Sequence, residues 1–308
     1  MTNVVLTLPP EKIEQLIETY AYAKVVRNGA GIRFAAKLPD TSITVYNSGK
    51  VMFQGSGASR EAQKFGEPVE KKKTIVKGDL LPENLATLSV VGSDETGTGD
   101  YFGPITVAAV YVPADKIALI QTLGAKDSKQ MNDDIIRRIA KDIMASCPYS
   151  LLILRNEKYN ELQAKGYSQG KMKAMLHNKV LQNVLTKIAP TKPDYILIDQ
   201  FAERGVYYNY LKQSKEIVSE RVLLATKAES LHISVAAASI IARYAFLIEM
   251  DKLSEIIGMN LQKGASNKVD EMAAKILKKY GEETLRSISK WHFANTNKAK
   301  ELYRKRYL

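Results

Sequence analysis

The N-terminal part of the chain shows a helical spacing of apolar residues, followed by strand-like runs. A helix from Pro10 to about Val25 is predicted because apolar residues recur there every three or four positions. Runs rich in β-forming residues follow at 31–38, 42–46 and 50–55. The last two runs are joined by Asn47-Ser48-Gly49, a hairpin-type turn. The pattern predicts a small α+β domain over residues 1–57.

The next stretch, residues 58–86, is polar and has no sustained apolar period. Such composition is typical of a linker, and it contains the triplet Lys71-Lys72-Lys73. The triplet is best explained as solvated surface, with a contact to a phosphate backbone as the less favoured explanation. A second domain is expected to begin at residue 87 and to continue to residue 308.

The second domain alternates between apolar runs of strand length and longer helical patterns. Strands are predicted at 87–92, 105–112, 150–154 and 195–198. Helices are predicted at 132–145, 171–189 and 234–257. Strands that come first and then alternate with helices indicate an α/β fold, in which a mixed sheet is flanked by helices.

Composition and charge narrow the class of protein. The 308 residues are 45% hydrophobic and 25% charged, which is ordinary globular usage. A formal net charge of +12 favours a polyanionic partner, either nucleic acid or an anionic membrane surface, although an unspecialised basic protein has the same charge. The single Cys147 excludes an internal disulfide. Because no leader or bilayer-length apolar stretch is evident, we expect a soluble cytoplasmic protein without a membrane partner.

Acidic residues stand where predicted elements begin or end. Asp94 and Glu95 follow the strand after the linker, Asp199 ends the strand that starts at Tyr195, and Glu229 precedes an Ala-rich helix. Each acid alone has a plain explanation, such as a helix cap. Together, in a basic protein, they indicate a pocket that divalent cations would stabilise. Carboxylate oxygens suit Mg²⁺, and phosphodiester cleavage is the natural reaction at such a site.

Glycines follow the first two acids. Gly97, Gly99 and Gly103 permit turns and a close approach of the backbone to a ligand. They do not form a nucleotide-binding loop, because no Lys-Ser or Lys-Thr pair follows and a strand rather than a helix comes next. As a glycine pattern alone, the run is more often a tight hairpin than a binding site.

The run from Gly92 to Pro104 resembles the sequence motif of the type 2 ribonucleases H, and within them the ribonuclease HIII group. The resemblance covers about residues 88–300. Further blocks match in the same order: 127–130, the strand that ends in Asp199, 227–230 leading into 234–243, and 292–296. Several ordered blocks are much more specific than any single motif.

The resemblance implies a ribonuclease H-like catalytic domain preceded by a TATA-binding-protein-like substrate-binding domain. It implies an endonuclease that hydrolyses the RNA strand of RNA/DNA hybrids by two-metal-ion catalysis, leaving 5′-phosphate and 3′-hydroxyl ends. The partner would be an RNA/DNA hybrid duplex, and the enzyme a monomer. The implied metal ligands, for Mg²⁺ or Mn²⁺, are Asp94, Glu95, Asp199 and Glu229.

The resemblance also implies substrate contacts. Gly97, Thr98 and Gly99 would meet the hybrid backbone around the ribose 2′-hydroxyls, and Ser128 and Lys129 would assist at phosphates. The sister group, ribonuclease HII, usually has Gly-Arg-Gly at the first place and aspartate in place of Glu229. Both departures favour RNA tracts in hybrids over single ribonucleotides in DNA. The alternatives are a ribonuclease HII-like activity and a hybrid-binding protein without catalysis.

The three histidines offer no metal-ligand spacing. His177 lies inside a predicted helix and is interpreted as structural. His232 and His292 fall inside the matching blocks, where local packing or a substrate contact explains them.

Overall fold

Two separate sheets organise the chain, one in each of the units Met1–Val76 and Lys77–Leu308. The structure is a computed structural model. It describes residues 3–27, 31–66, 78–125 and 131–307.

The N-terminal unit is an antiparallel sheet of four strands with the order β1-β4-β3-β2. The strands are β1 Asn3–Thr7, β2 Ile32–Lys37, β3 Ser42–Tyr46 and β4 Lys50–Gln54. The helices are α1 Pro10–Thr19 and α2 Ala58–Gln63. Ile13 and Leu16 of α1 are buried in the same apolar cluster as Val45 and Val51, which pair across the sheet. Helix α1 is shorter than the sequence pattern predicts, since the backbone leaves the helical region at Tyr20.

The predicted linker, residues 58–86, contributes buried residues to the apolar cores of both units. Ala58 and Ala62 of α2, together with Phe65, belong to the apolar core of the N-terminal unit. Alanines give little apolar contrast, so the short helix leaves a weak pattern in the sequence. At the other end, Leu85 is buried in the second unit. The triplet Lys71-Lys72-Lys73 lies outside the described residues.

The second unit contains the mixed sheet that the sequence predicts, with the strand order β7-β6-β5-β8-β9. Strand β5 pairs antiparallel with β6 and parallel with β8, and β8 pairs parallel with β9. The strands are β5 Val90–Thr96, β6 Ile105–Val112, β7 Tyr149–Leu154, β8 Tyr195–Asp199 and β9 Val222–Ala225. Because β5 and β8 are parallel neighbours, their carboxyl ends lie side by side.

Helices cover both faces of this sheet. They are α3 Ile117–Thr122, α4 Asp133–Ser146, α5 Asn156–Ala164, α6 Gln169–Ile188, α7 Arg204–Leu211, α8 Ile233–Ile257, α9 Asn267–Ile288 and α10 Ala294–Tyr307. Core residues of α6 pack with one face of β5 and β6, and core residues of α8 with the other.

Helix α8 lies directly against the central strand. A Cβ atom added to Gly92 of β5 would stand 2.3 Å from the backbone nitrogen of Val235, so only glycine permits this approach. The helix is as long and apolar as a membrane-spanning helix, but 78% of its most apolar window is buried inside the protein. That burial is typical of a core helix, and the close approach at Gly92 places the start of α8 against β5.

Candidate active site

Three of the four predicted acids meet at the carboxyl ends of β5 and β8. Ser93 pairs with Ile198 across the two parallel strands, so the next residues, Asp94 and Asp199, are neighbours. Asp94, Glu95 and Asp199 line one cleft of about 470 Å³. The other residues of its wall are Thr96, Gly97, Thr98, Gly99, Asp100, Ser239, Arg243, Phe246, Leu247 and Lys263.

Asp94 is the most deeply placed of these acids, with 5% of its surface exposed. Its Oδ1 accepts a hydrogen bond from the backbone N–H of Glu95 over 2.7 Å, and Ser239 of α8 also hydrogen-bonds the carboxylate. Burial, followed by the negative charges of Glu95 and Asp199, raises the pKa of Asp94 to about 8. The cluster therefore repels itself, and a cation in the cleft would relieve that repulsion.

Glu95 points to the opposite face of β5, where two residues of α6 hold it. Its Oε2 lies 2.8 Å from Nε2 of His177, and its Oε1 lies 2.8 Å from Nζ of Lys173. Burial alone would raise the pKa of Glu95, but His177 and Lys173 outweigh it and lower the pKa to about 2. Glu95 is thus an ionised carboxylate in a fixed orientation.

Glu229 lies on a 3-10 turn, Ala228–Ser230, which adjoins the end of β8. Oδ1 of Asp199 accepts a hydrogen bond of 2.9 Å from the backbone N–H of Ala228, the residue before Glu229. Glu229 is not one of the described residues that line the cleft. The structure therefore brings Asp94, Glu95 and Asp199 together and places Glu229 on the neighbouring turn.

The donor set suits a hard divalent cation. Carboxylate oxygens supply all the predicted ligands, and the raised pKa of Asp94 marks a place where positive charge is favourable. Within residues 3–27, 31–66, 78–125 and 131–307, no three acidic, His or Cys side chains stand close enough to form a ready-made metal centre. Water and substrate phosphate oxygens would supply the remaining ligands, as is usual for Mg²⁺.

The first four residues of the glycine loop, which spans residues 97–103, line the cleft. Gly97 has a φ of +93°, and an added Cβ would stand 2.2 Å from the carbonyl oxygen of Pro104, so glycine is required there. Gly99 has open space where a Cβ would project. The loop is anchored from outside the cleft, since Gln169 donates to the Thr98 carbonyl over 3.0 Å and Lys290 donates to the Gly103 carbonyl over 2.6 Å.

Two cations also line the cleft, Arg243 from α8 and Lys263 from the segment after it, and sequence reasoning did not identify them. Arg243 donates to Oδ1 of Asp133 over 2.7 Å, and Lys263 donates to Oδ2 of the same carboxylate over 2.5 Å. Neither residue is part of a sequence motif whose spacing indicates a site. The predicted phosphate contacts Ser128 and Lys129 lie outside the described residues.

Lys173 and His177 were also missed as site residues. The helical pattern around His177 favours a structural interpretation, but the structure places its ring against Glu95. The available signal was the spacing of four residues, which puts both side chains on one face of α6.

Two family models match successive parts of the chain. The model described as Ribonuclease HII matches residues 91–296, which contain the cleft. The model described as Domain of unknown function (DUF3378) matches residues 3–77.

Named relatives match nearly the whole chain. Ribonuclease HIII of Lysinibacillus sphaericus is 63% identical over 98% of this chain and 100% of its own length. Ribonuclease HIII of Bacillus pumilus is 52% identical over 98% of this chain and 99% of its own length. The crystal structure of Bst-RNase HIII in complex with Mn²⁺ is 46% identical, with a TM-score of 0.72 over 99% of this chain and 100% of that one.

The mixed sheet and the match to the Ribonuclease HII model define the class of protein, a type 2 ribonuclease H. The high sequence identity to named relatives, which extends along both units, identifies the group within that class. The chain belongs to the ribonuclease HIII family. It is an endonuclease that cuts the RNA strand of RNA/DNA hybrids.

Proposed function

We propose that Asp94, Glu95, Asp199 and Glu229 bind two divalent cations, Mg²⁺ or Mn²⁺, at which the RNA strand is hydrolysed to 5′-phosphate and 3′-hydroxyl ends. The observation that carries this proposal is the meeting of three of these acids in one cleft at the ends of two parallel strands. The presence of Mn²⁺ in the related Bst-RNase HIII crystal structure supports the choice of metal.

Bound divalent cations would supply the charge that activates an attacking water and stabilises the leaving oxygen. The side chains of the protein hold this charge in place. Asp94, fixed by Ser239, and Asp199, fixed by the Ala228 N–H, present oxygens from adjacent strands. Glu229 would join them from the turn that begins at Ala228.

The remaining walls of the cleft suit a nucleic acid strand. Gly97, Thr98 and Gly99 offer backbone that a ribose 2′-hydroxyl can approach closely, which is how RNA is distinguished from DNA. Arg243 and Lys263 add positive charge to the same cleft, which suits a phosphate of the bound strand. Ser128 and Lys129 are proposed to assist at phosphates on the basis of the sequence resemblance alone.

The N-terminal unit is proposed to add affinity for the hybrid duplex, as a TATA-binding-protein-like module. Its sheet carries exposed Arg33 and Lys50, which suit phosphate contacts that are independent of sequence. The separate family model over residues 3–77 supports an independent module.

Cleavage at single ribonucleotides in DNA is the second candidate, and the residues at the site favour it less. The sister group usually has Gly-Arg-Gly where this chain has Gly97-Thr98-Gly99, and aspartate where it has Glu229. We therefore propose hybrids with RNA tracts as the preferred substrate.

One assay separates the candidates. The full chain is incubated with a labelled hybrid, a DNA duplex carrying one ribonucleotide, and plain DNA, each with Mg²⁺ or Mn²⁺ and again with a chelator. We expect metal-dependent cuts in the RNA strand of the hybrid. Cuts confined to the single-ribonucleotide duplex would support the second candidate, and binding without cleavage would leave a hybrid-binding protein.

A further inference from the structure

The Glu95 carboxylate is held by two side chains from a single face of α6. Lys173 and His177 are four residues apart and contact Oε1 and Oε2 respectively, each over 2.8 Å. The Lys173 side chain is 13% exposed, and His177 is completely buried. Each carboxylate oxygen has a second lone pair, so these contacts leave capacity for a cation.

The His177 ring is itself fixed on its other side. Its Nδ1 lies 2.8 Å from Oγ of Ser93, which stands two residues before Glu95 on the same face of β5. The ring therefore spans the side chains of Ser93 and Glu95. It also stacks on Phe201 with the ring centroids 5.2 Å apart, and Lys173 Nζ lies 4.1 Å from the centroid of the same Phe201 ring.

The protonation pattern follows from these partners. An ionised carboxylate only accepts hydrogen bonds, so Nε2 of His177 must carry the proton that Glu95 accepts. The hydroxyl of Ser93 can donate or accept at Nδ1, so it supports this arrangement in either protonation state of the ring. Hydrogen bonds from such outer partners fix the orientation of a metal-binding carboxylate.

We propose that His177 is a positioning residue, which together with Ser93 fixes the Glu95 carboxylate in the orientation that binds a divalent cation. This inference rests on the proposed function, in which Glu95 is a metal ligand. A purely structural histidine would stabilise the fold without changing the affinity for metal.

A matched pair of variants separates these two roles. His177→Gln places an amide nitrogen near the position of Nε2 and retains a donor for Glu95. His177→Asn places its amide near Nδ1, where it reaches Ser93 but not Glu95. The measurement is the Mn²⁺ dissociation constant of the full chain by titration calorimetry without substrate, alongside thermal unfolding in chelator.

We expect His177→Asn to weaken Mn²⁺ binding by about 10–100-fold, and His177→Gln to recover most of that loss. If both variants bind Mn²⁺ as tightly as the wild type, the positioning role is overturned while the metal site stands. If the wild type and Glu95→Gln bind Mn²⁺ equally, the proposed metal site fails first, and the positioning role falls with it.

Two further measurements keep the inference testable if the His177 variants do not fold. Ser93→Ala removes a single oxygen and is expected to weaken Mn²⁺ binding in the same direction; unchanged binding would count against the network. The chain has three histidines, so nitrogen NMR of the wild type can identify the His177 ring. We expect a proton on Nε2 that Glu95→Gln perturbs, and a bare Nε2 would overturn the proposal.

Discussion

Ala228 donates its backbone N–H to Oδ1 of Asp199 over 2.9 Å, which joins the end of β8 to the turn that carries Glu229. This hydrogen bond holds the carboxylate of Asp199 against the residue that precedes Glu229. The residue before this turn, Lys227, has a left-handed backbone with a φ of 57°. A non-glycine residue in that region is uncommon, and such strain often accompanies functional sites.

Asp94→Asn is expected to abolish cleavage of the hybrid while largely preserving hybrid binding. The substitution keeps the shape of the side chain and its contact with the cleft but removes the charge that would hold a cation. Cleavage of a labelled hybrid and its binding by fluorescence anisotropy provide the two readouts. Unchanged turnover would remove Asp94 from the site.

The Asp94→Asn variant is expected to be more stable than the wild type when a chelator removes divalent cations. Burial, together with Glu95 and Asp199, raises the pKa of Asp94 to about 8. At neutral pH, placing this carboxyl group in the folded protein therefore lowers the free energy of unfolding of the wild type. We expect Asp94→Asn to raise the free energy of unfolding by at least about 1 kcal/mol. Adding Mn²⁺ should stabilise the wild type and have little effect on the variant. Equal stability in chelator would argue against electrostatic repulsion in the cleft.

Two glycine substitutions are expected to separate folding from substrate contact. Gly97→Ala places a Cβ 2.2 Å from the Pro104 carbonyl oxygen at a φ of +93°, and should destabilise the protein by about 1–3 kcal/mol. Gly99→Ala meets open space, so its melting temperature should match the wild type while hybrid cleavage falls. Wild-type activity in Gly99→Ala would show that this backbone does not approach the substrate closely.

The fold and the main acids were predictable because the relevant signals are local. Asp94 and Asp199 end apolar runs of strand length, and a parallel pairing of those runs brings the two acids together. Helix α2 and strand β1 were missed because both are short; α2 is also rich in alanine. His177 was missed as a site residue because its partners, Ser93 and Glu95, lie more than eighty positions away, and only the packing of α6 on β5 unites them.

His232 is expected to make the fold sensitive to acid. Burial lowers the pKa of this imidazole to about 4 from its ordinary 6.5, while its Nδ1 caps α8 by accepting from the Ser234 N–H. The unfolded chain therefore binds more protons between these two pH values. The free energy of unfolding should fall as pH drops from about 6.5 to about 4, by on the order of 3 kcal/mol.

The matched control for this effect is His232→Asn, which retains a side chain that caps helices well but does not titrate. Chemical denaturation across that pH range should give a smaller acid slope for the variant than for the wild type. Parallel curves for the two proteins would assign the acid sensitivity to other groups.

The central claim is that acids from separate parts of the chain share divalent cations in one cleft. Anomalous diffraction from a crystal of the full chain with Mn²⁺ tests it most directly. The account predicts manganese in the cleft, bound by the carboxylates of Asp94, Glu95 and Asp199, with Glu229 joining from its turn. Manganese that binds elsewhere and contacts none of these four carboxylates would contradict it.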